Sequence, residues 1–325
     1  MAHPLTPEIP PEISPEAAIE TLTTQLNLPS PITPISSPLL TNKHIQLFIK
    51  RDELIHPVIQ GNKWRKLKYN LLEARQQQQH TLLSFGGAYS NHLHALAKAG
   101  QLLGVKTIGI IRGEAHSPLN PCLQDMTHWG MQLEYISRKD YKQKNSPEFI
   151  KKLTQKSGEF YLIPEGGNNT PGMKGCGELL DELTEDYDYI CCEIGSGTML
   201  SALIQHNTKP ETQLLGFAVL KNQQLEQQIA SSLRLASHNS VSHKKNWTII
   251  HNYHFNGFAK TSPQLDEFIH SFKLEFNIQL EPVYSAKMLY GIMDLIKHNY
   301  FKAGTRILAI HGGGLQGLRG FAQHV

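Results

Sequence analysis

A chain of 325 residues, 40% of them hydrophobic, is long enough to bury a substantial core in one large or two medium domains. Its charge is nearly balanced, +3 with 18% charged residues, so no basic stripe points to nucleic acid and no acidic tail to a solubilising appendage. A small-molecule task is the better expectation. Four cysteines, two of them adjacent at Cys191 and Cys192, show neither CxxC spacing nor the density of a stapled secreted fold, and read as buried thiols in a reducing compartment. The opening MAHPLTPEIPPEISPE is proline-rich and acidic, unlike a signal or transit sequence, and no apolar run approaches the ~18 residues of a membrane span. The expectation is a cytoplasmic protein with no membrane partner.

Half of the 18 prolines fall in the first 38 residues, which predicts an extended arm broken by one short helix. Ser14 as N-cap, Pro15 at the first helical position, and Ile19, Leu22 and Leu26 on one face describe that helix. From residue 44 the chain alternates short β-rich runs with amphipathic helices, an α/β signature. TLLSF (81–85) leads through Gly86-Gly87 into a helix carrying Leu93, Leu96 and Leu103, and KTIGII (106–111) follows as the next strand. LEYIS (133–137) and EFYLI (159–163) repeat the theme until EGGNN (165–169) breaks it. A second set comprises DYICCEI (188–194), LLGFAVL (214–220), WTIIH (247–251), a helix from about 285 to 299, and RILAIH (306–311). Both sets predict mostly parallel sheets wrapped by helices. We expect a smaller domain, 52–165, inserted in a larger one built from 1–51 and 166–325, with a ligand in the cleft between them.

Several stretches carry polar groups at places where chemistry is feasible. In GNKWRKL (61–67), a nucleophilic lysine at Lys63 must be held neutral to attack a carbonyl, and the neighbouring cations Arg65 and Lys66 disfavour its charged form. The plainer reading is a solvated helix start decorated by Lys63, Lys66 and Lys68. GSGT (195–198) follows a strand and opens a helix, so backbone N–H groups and the positive helix end converge on an anion. It lacks the third glycine of a dinucleotide fingerprint and the GK[ST] ending of a nucleotide loop, so a lone phosphate fits best, or else the turn is only a turn. In GGAYSNH (86–92), two glycines admit a flat ligand, Ser90 reads first as a helix cap, and Asn91 and His92 offer polar groups at the cleft. EPVYS (281–285) sets an aromatic ring and a hydroxyl before a long helix, and RILAIH runs into Gly312-Gly313-Gly314. No HExxH occurs among 17 histidines, so no metal is expected.

Taken in order, GNKWRKL, SFGGAYSNH, GSGT, EPVYSAKMLYGI and HGGG resemble the pyridoxal-phosphate enzymes of the tryptophan-synthase-β type (fold type II). Within them they resemble the group of 1-aminocyclopropane-1-carboxylate deaminase and D-cysteine desulfhydrase, over roughly residues 45–320. The resemblance implies pyridoxal 5'-phosphate as cofactor, carried covalently by Lys63, and a homodimer acting on a small amino acid. It implies that Asn91 bonds the ring hydroxyl, that Gly195, Ser196, Gly197 and Thr198 hold the phosphate, and that Tyr284 lies beside the ring. Ser90, Asn91 and His92 would meet the substrate, with Ser90 and Tyr284 assisting proton movement after Lys63 takes the α-proton.

Ser285 stands where the cyclopropane deaminases resemble one another in having Glu, whereas the desulfhydrases carry a small hydroxyl residue. A carboxylate there would keep the pyridine nitrogen protonated and strengthen the electron sink; a hydroxyl gives a milder one, sufficient for loss of a thiolate. His92 also sides with the desulfhydrases. The expected reaction is therefore α,β-elimination giving a 2-oxo acid and ammonia, with sulfide from cysteine. Ring-opening deamination is the alternative within enzymes. Phe258, where relatives place a tyrosine, and Met199, where many have threonine, suggest a further alternative: a cofactor-binding protein without turnover.

Overall fold

The computed structural model describes residues 15–236 and 246–321. Apolar runs buried on both faces become strands of two sheets, as parallel strands wrapped by helices require. Strands β1 (Ile32–Ile35) and β2 (Gln46–Lys50) begin one sheet, and β3 (Thr81–Gly86), β4 (Lys106–Arg112), β5 (Gln132–Ile136) and β6 (Tyr161–Ile163) form the other, in the order β5-β4-β3-β6. Strands β7 (Tyr189–Ile194), β8 (Gln213–Ala218), β9 (Trp247–Ile250) and β10 (Arg306–Ile310) return to the first sheet, whose order is β1-β2-β10-β7-β8-β9. All ladders are parallel except the antiparallel pair of β1 and β2. Each strand expected from the apolar runs is present, with ends within two residues of those read from the sequence. The fold is α/β with mostly parallel sheets flanked by helices.

Alternation along β7 feeds two separate cores. Cys191 packs with Leu215, Phe217 and Leu289 on one face, and Cys192 with Leu200, Leu203 and Leu308 on the other. All four cysteines are free and buried.

The N-terminal helix Pro15–Thr24 departs from the expected division. Its buried Ala18, Ile19 and Leu22, with Leu26 beyond its end, share a cluster with Leu67, Leu71, Leu82 and Leu96, on the side of the four-stranded sheet. Assigning all of 1–51 to the larger unit is therefore corrected: the apolar face of this helix finds its partners across the chain, not among its sequence neighbours. Ser14 lies outside the described residues.

Two features tie the helix Asn62–Gln76 to the larger sheet. The helix Thr170–Gly177 packs closely on it, because a Cβ on Gly175 would lie 1.9 Å from the Arg65 carbonyl oxygen. Beside that contact sits a buried ionic network. Arg65 donates to both Asp52 carboxylate oxygens at 2.7 and 2.8 Å and to Glu182 at 2.7 Å, while Lys50, at the end of β2, reaches Glu182 at 2.6 Å. Burial alone would raise the Asp52 carboxyl, but the Arg65 charge and its hydrogen bonds outweigh that and leave it below its ordinary range.

A pair this deep is costly to break from one side. Arg65→Met, which keeps bulk and removes charge, should cost about 3–5 kcal/mol of stability in urea unfolding, because Asp52 stays buried without its counter-charge.

Candidate active site

Gly61 precedes the helix Asn62–Gln76 with φ +60° and ψ −139°, and a Cβ there would stand 2.0 Å from the Gly312 carbonyl oxygen. Only glycine permits both the dihedral and the approach. The start of this helix is thereby laid against the glycine run that follows β10. As a result Lys63 Nζ donates to the Gly312 carbonyl at 3.0 Å and stands 5.9 Å from the centre of the Tyr284 ring. Burial, followed by the charge of Lys66, brings the Lys63 amine down to about 8, against the opposing pull of Glu193 and Glu281.

The expected roles of the neighbouring cations divide here. Lys66 does depress Lys63, whereas Arg65 is turned away and neutralised by Asp52 and Glu182. Lys68 pairs with Glu178. Lys66 is itself 8% exposed, one turn beyond the start of the helix, and its Nζ reaches Ser196 Oγ at 3.4 Å. A solvated helix start is thus excluded for both Lys63 and Lys66.

The turn after β7 has the geometry expected of an anion loop. Gly195 faces the Tyr284 ring so closely that a Cβ would lie 3.0 Å from Cε1, and Gly197 takes φ +84° to open the helix Thr198–His206. Ser196 and Thr198 share a hydrogen bond at 2.9 Å, and the Thr198 hydroxyl donates to Asn168 Oδ1 at 3.1 Å. Met199 packs in the core beside Leu200 and Leu203, so its side chain takes no part in this loop.

Ser90 is the cap of the helix Asn91–Leu103, its Oγ accepting from the Leu93 N–H at 3.2 Å, which leaves its own proton to donate. Asn91 Oδ1 accepts from Gln316, and its Nδ2 lies toward Gly314, where a Cβ would come within 2.6 Å. His92 differs from the expectation of an imidazole displayed at the cleft. It is buried between Ser84, which it meets through Nε2 at 3.0 Å, and Gly167. Burial, with the charges of Lys66 and Lys63, brings it down to about 3, so the ring is neutral, and Nδ1 is left without a partner.

Ser285 is fully buried at the start of the helix Ser285–Lys297, where its hydroxyl accepts from the Glu281 N–H at 3.0 Å. The Glu281 carboxylate accepts the N–H groups of Val283, Tyr284 and Ser285 at 2.8, 2.8 and 2.6 Å. Phe258 sets its ring edge-on to Tyr284 at 6.0 Å. It is held there by buried Lys287, whose Nζ donates to the carbonyls of Gly257 and His254 at 2.8 and 3.0 Å.

Sequence reasoning missed Glu193, Asn168 and Gln316. Glu193 is buried beside Gly312 with Oε2 unpartnered, and burial raises it to about 7 despite the charge of Lys63. Its signal was available as the single charge inside YICCEI.

Residues 24–313 match the family model described as pyridoxal-phosphate dependent enzyme. The chain belongs to that family. Among curated relatives, it is 29% identical over 284 residues to a Pyrococcus furiosus protein provisionally named 1-aminocyclopropane-1-carboxylate deaminase, covering 83% of this chain and 85% of the relative. It is 29% identical over 320 residues to the Arabidopsis thaliana bifunctional D-cysteine desulfhydrase/1-aminocyclopropane-1-carboxylate deaminase, mitochondrial, covering 90% and 78%. Among solved structures, an ACC deaminase homologue aligns with a TM-score of 0.78 at 24% identity, over 94% of this chain and 97% of that one. Threonine deaminase isoform 2 from Solanum lycopersicum aligns with a TM-score of 0.64 at 17% identity, over 95% and 86%.

As a pyridoxal-phosphate-dependent enzyme, the chain has a donor set that suits its cofactor. It offers a depressed amine for an aldehyde, a helix start with two hydroxyls and Lys66 for a phosphate, and a tyrosine ring with glycine backbone for a flat heterocycle. Buried polar atoms without partners, Asn62 Oδ1, His92 Nδ1 and Glu193 Oε2, accompany this set.

Covalent capture of pyridoxal, the cofactor without its phosphate, by the apoprotein should rise with pH to half its maximum near 8, where Lys63 loses its proton. In Lys66→Met the neighbouring positive charge is gone, so that midpoint should move to higher pH, as stopped-flow absorbance would record.

Proposed function

We propose that the protein is a lyase that eliminates the β-substituent of a small amino acid, with D-cysteine as substrate, releasing a 2-oxo acid, ammonia and sulfide. The observation that carries this reading is the placement of the Lys63 amine between the Tyr284 ring and the Gly312 carbonyl, while Lys66 extends to the anion loop. The name of the Arabidopsis relative, which includes D-cysteine desulfhydrase, supports this reading, while that of the Pyrococcus relative gives only the alternative, the 1-aminocyclopropane-1-carboxylate deaminase.

When bound, pyridoxal phosphate supplies an electron sink for the substrate α-carbon. Lys63 would hold it covalently and, once displaced by the substrate amine, take the α-proton; its lowered pKa keeps a neutral amine available near pH 8. The N–H groups of Gly195, Ser196, Gly197 and Thr198, with Lys66, would hold the phosphate, and Asn91 Nδ2 the ring hydroxyl. Ser90 through its hydroxyl, and Asn91 and His92 through N–H groups at the start of their helix, would bind the substrate carboxylate. Tyr284 would flank the ring and exclude water. Ser285 would donate to the ring nitrogen. Glu281 is close at hand, but both of its oxygens accept backbone N–H groups, so that carboxylate is committed to the turn before the helix Ser285–Lys297. This is the argument for a mild sink and a good leaving group. The two sheets serve as two domains divided near 51 and 165, with the helix Pro15–Thr24 riding on the inserted one.

Screening D-cysteine, L-cysteine, D-serine and 1-aminocyclopropane-1-carboxylate for pyruvate, oxobutanoate and sulfide tests the assignment. Fast oxobutanoate release with no sulfide from D-cysteine would reverse it, and absence of turnover on all four would favour the idle binding protein. Lys63→Ala should lose the visible absorption of the lysine-linked cofactor and at least ~10²-fold in turnover. In Ser285→Glu, with cofactor uptake checked first, the ratio of ring opening to elimination should rise; an unchanged ratio would defeat the electronic argument.

A further inference from the structure

An amide side chain has two ends that differ only in whether they donate or accept, so its function depends on which end a neighbour selects. On the reading above, Asn91 must present Nδ2 to a ring hydroxyl oxygen, and the inference below rests on that reading. The selecting neighbour is Gln316, in the short C-terminal turn Leu315–Gly320.

Gln316 is itself oriented from both ends. Its Nε2 faces two acceptors, the Tyr89 carbonyl at 3.3 Å and Asn91 Oδ1. Its Oε1 faces Arg319 Nη2 at 3.3 Å, and a guanidinium can only donate. Arg319 is in turn anchored on Asp125 at 2.7 Å, and the same Asp125 oxygen is held by His94 at 2.8 Å. The sense of each bond is therefore dictated from Asp125 inward: carboxylate accepts, guanidinium donates, Gln316 oxygen accepts, Gln316 nitrogen donates, Asn91 oxygen accepts. Asn91 Nδ2 is the end left over, on the side of Gly314.

We infer that Gln316 is the positioning residue that fixes the orientation of the Asn91 amide toward the cofactor, through a chain of donors and acceptors that begins at Asp125 and Arg319. Nothing in GNKWRKL or SNH carries this information; it comes from the segment after the glycine run.

Gln316→Glu reverses the end that matters while keeping size and the contact with Arg319. A carboxylate can only accept, so Asn91 must turn Nδ2 toward residue 316 and offer Oδ1 to the ring hydroxyl. Pyridoxal-phosphate affinity of the apoprotein should fall roughly 10-fold, as expected for the loss of an outer partner, and the visible maximum of the bound cofactor should shift. Gln316→Met, which removes the preference without reversing it, should fall between wild type and Gln316→Glu, and serves as the folded control. Asn91→Ala should weaken affinity by itself, and adding Gln316→Glu to it should do nothing further. Affinity and absorption maximum unchanged in Gln316→Glu, beside a weakened Asn91→Ala, would overturn the inference and leave the role of Asn91 standing. An unaffected Asn91→Ala would remove both.

Discussion

The close approach of two backbones, Gly61 against the Gly312 carbonyl, is the constraint on which the site depends. A side chain at 61 would push the start of the helix Asn62–Gln76 away from the end of β10, and the Lys63 amine would lose the carbonyl that orients it. The same glycine run meets Gln60 through Gly313, Glu193 through Gly312 and Asn91 through Gly314, so three segments far apart in the chain converge within a few residues. Open parallel sheets bind ligands beyond the carboxyl ends of their strands, and here β3, β7 and β10 each deliver a glycine at that edge.

Charge around Lys63 is managed by selective pairing. Four cations lie within the first seven residues of its helix, yet Arg65 and Lys68 are each spent on carboxylates while Lys66 has none at contact distance. The amine of Lys63 is therefore lowered by burial and one unpaired neighbour, not by a diffuse positive patch. Two carboxylates nearby, Glu193 and Glu281, limit the effect. Glu281 is anchored by backbone N–H groups and remains part of the scaffold, whereas Glu193 keeps an oxygen without a partner.

Much of the fold was legible because a strand buried on both faces is mostly apolar, as TLLSF and RILAIH are apart from Thr81, Ser84, Arg306 and His311. The helix Thr170–Gly177 was not, since TPGMKGCG contains three glycines and a proline and has little helical propensity of its own; close packing on Arg65 and His206 selects those glycines. The N-terminal helix was read correctly as a helix and placed on the wrong unit, because an apolar stripe states that a partner exists without saying which. At the site, motifs identified Lys63, Asn91 and the GSGT loop as candidates, but the direction of a side chain is a property of packing. Hence Arg65 was credited with a field it does not exert, while His92, read as a polar group at the cleft, is buried with its Nε2 against Ser84. Phe258 depends on a loop in which Phe255, Asn256 and Ala259 adopt left-handed dihedrals, which their residue types do not announce.

The seclusion of the four cysteines has a chemical consequence of its own. The thiolate, not the thiol, attacks disulfides and reacts with oxidants, and burial raises Cys122 and Cys176 to about 12 and 11 and pushes Cys191 and Cys192 up as well. The adjacent pair on β7 points into opposite cores, so neither member can resolve a modification on the other. All four cysteines are thereby held in the thiol form, the form that disulfides and oxidants consume least, in a fold whose strand ends carry the candidate site.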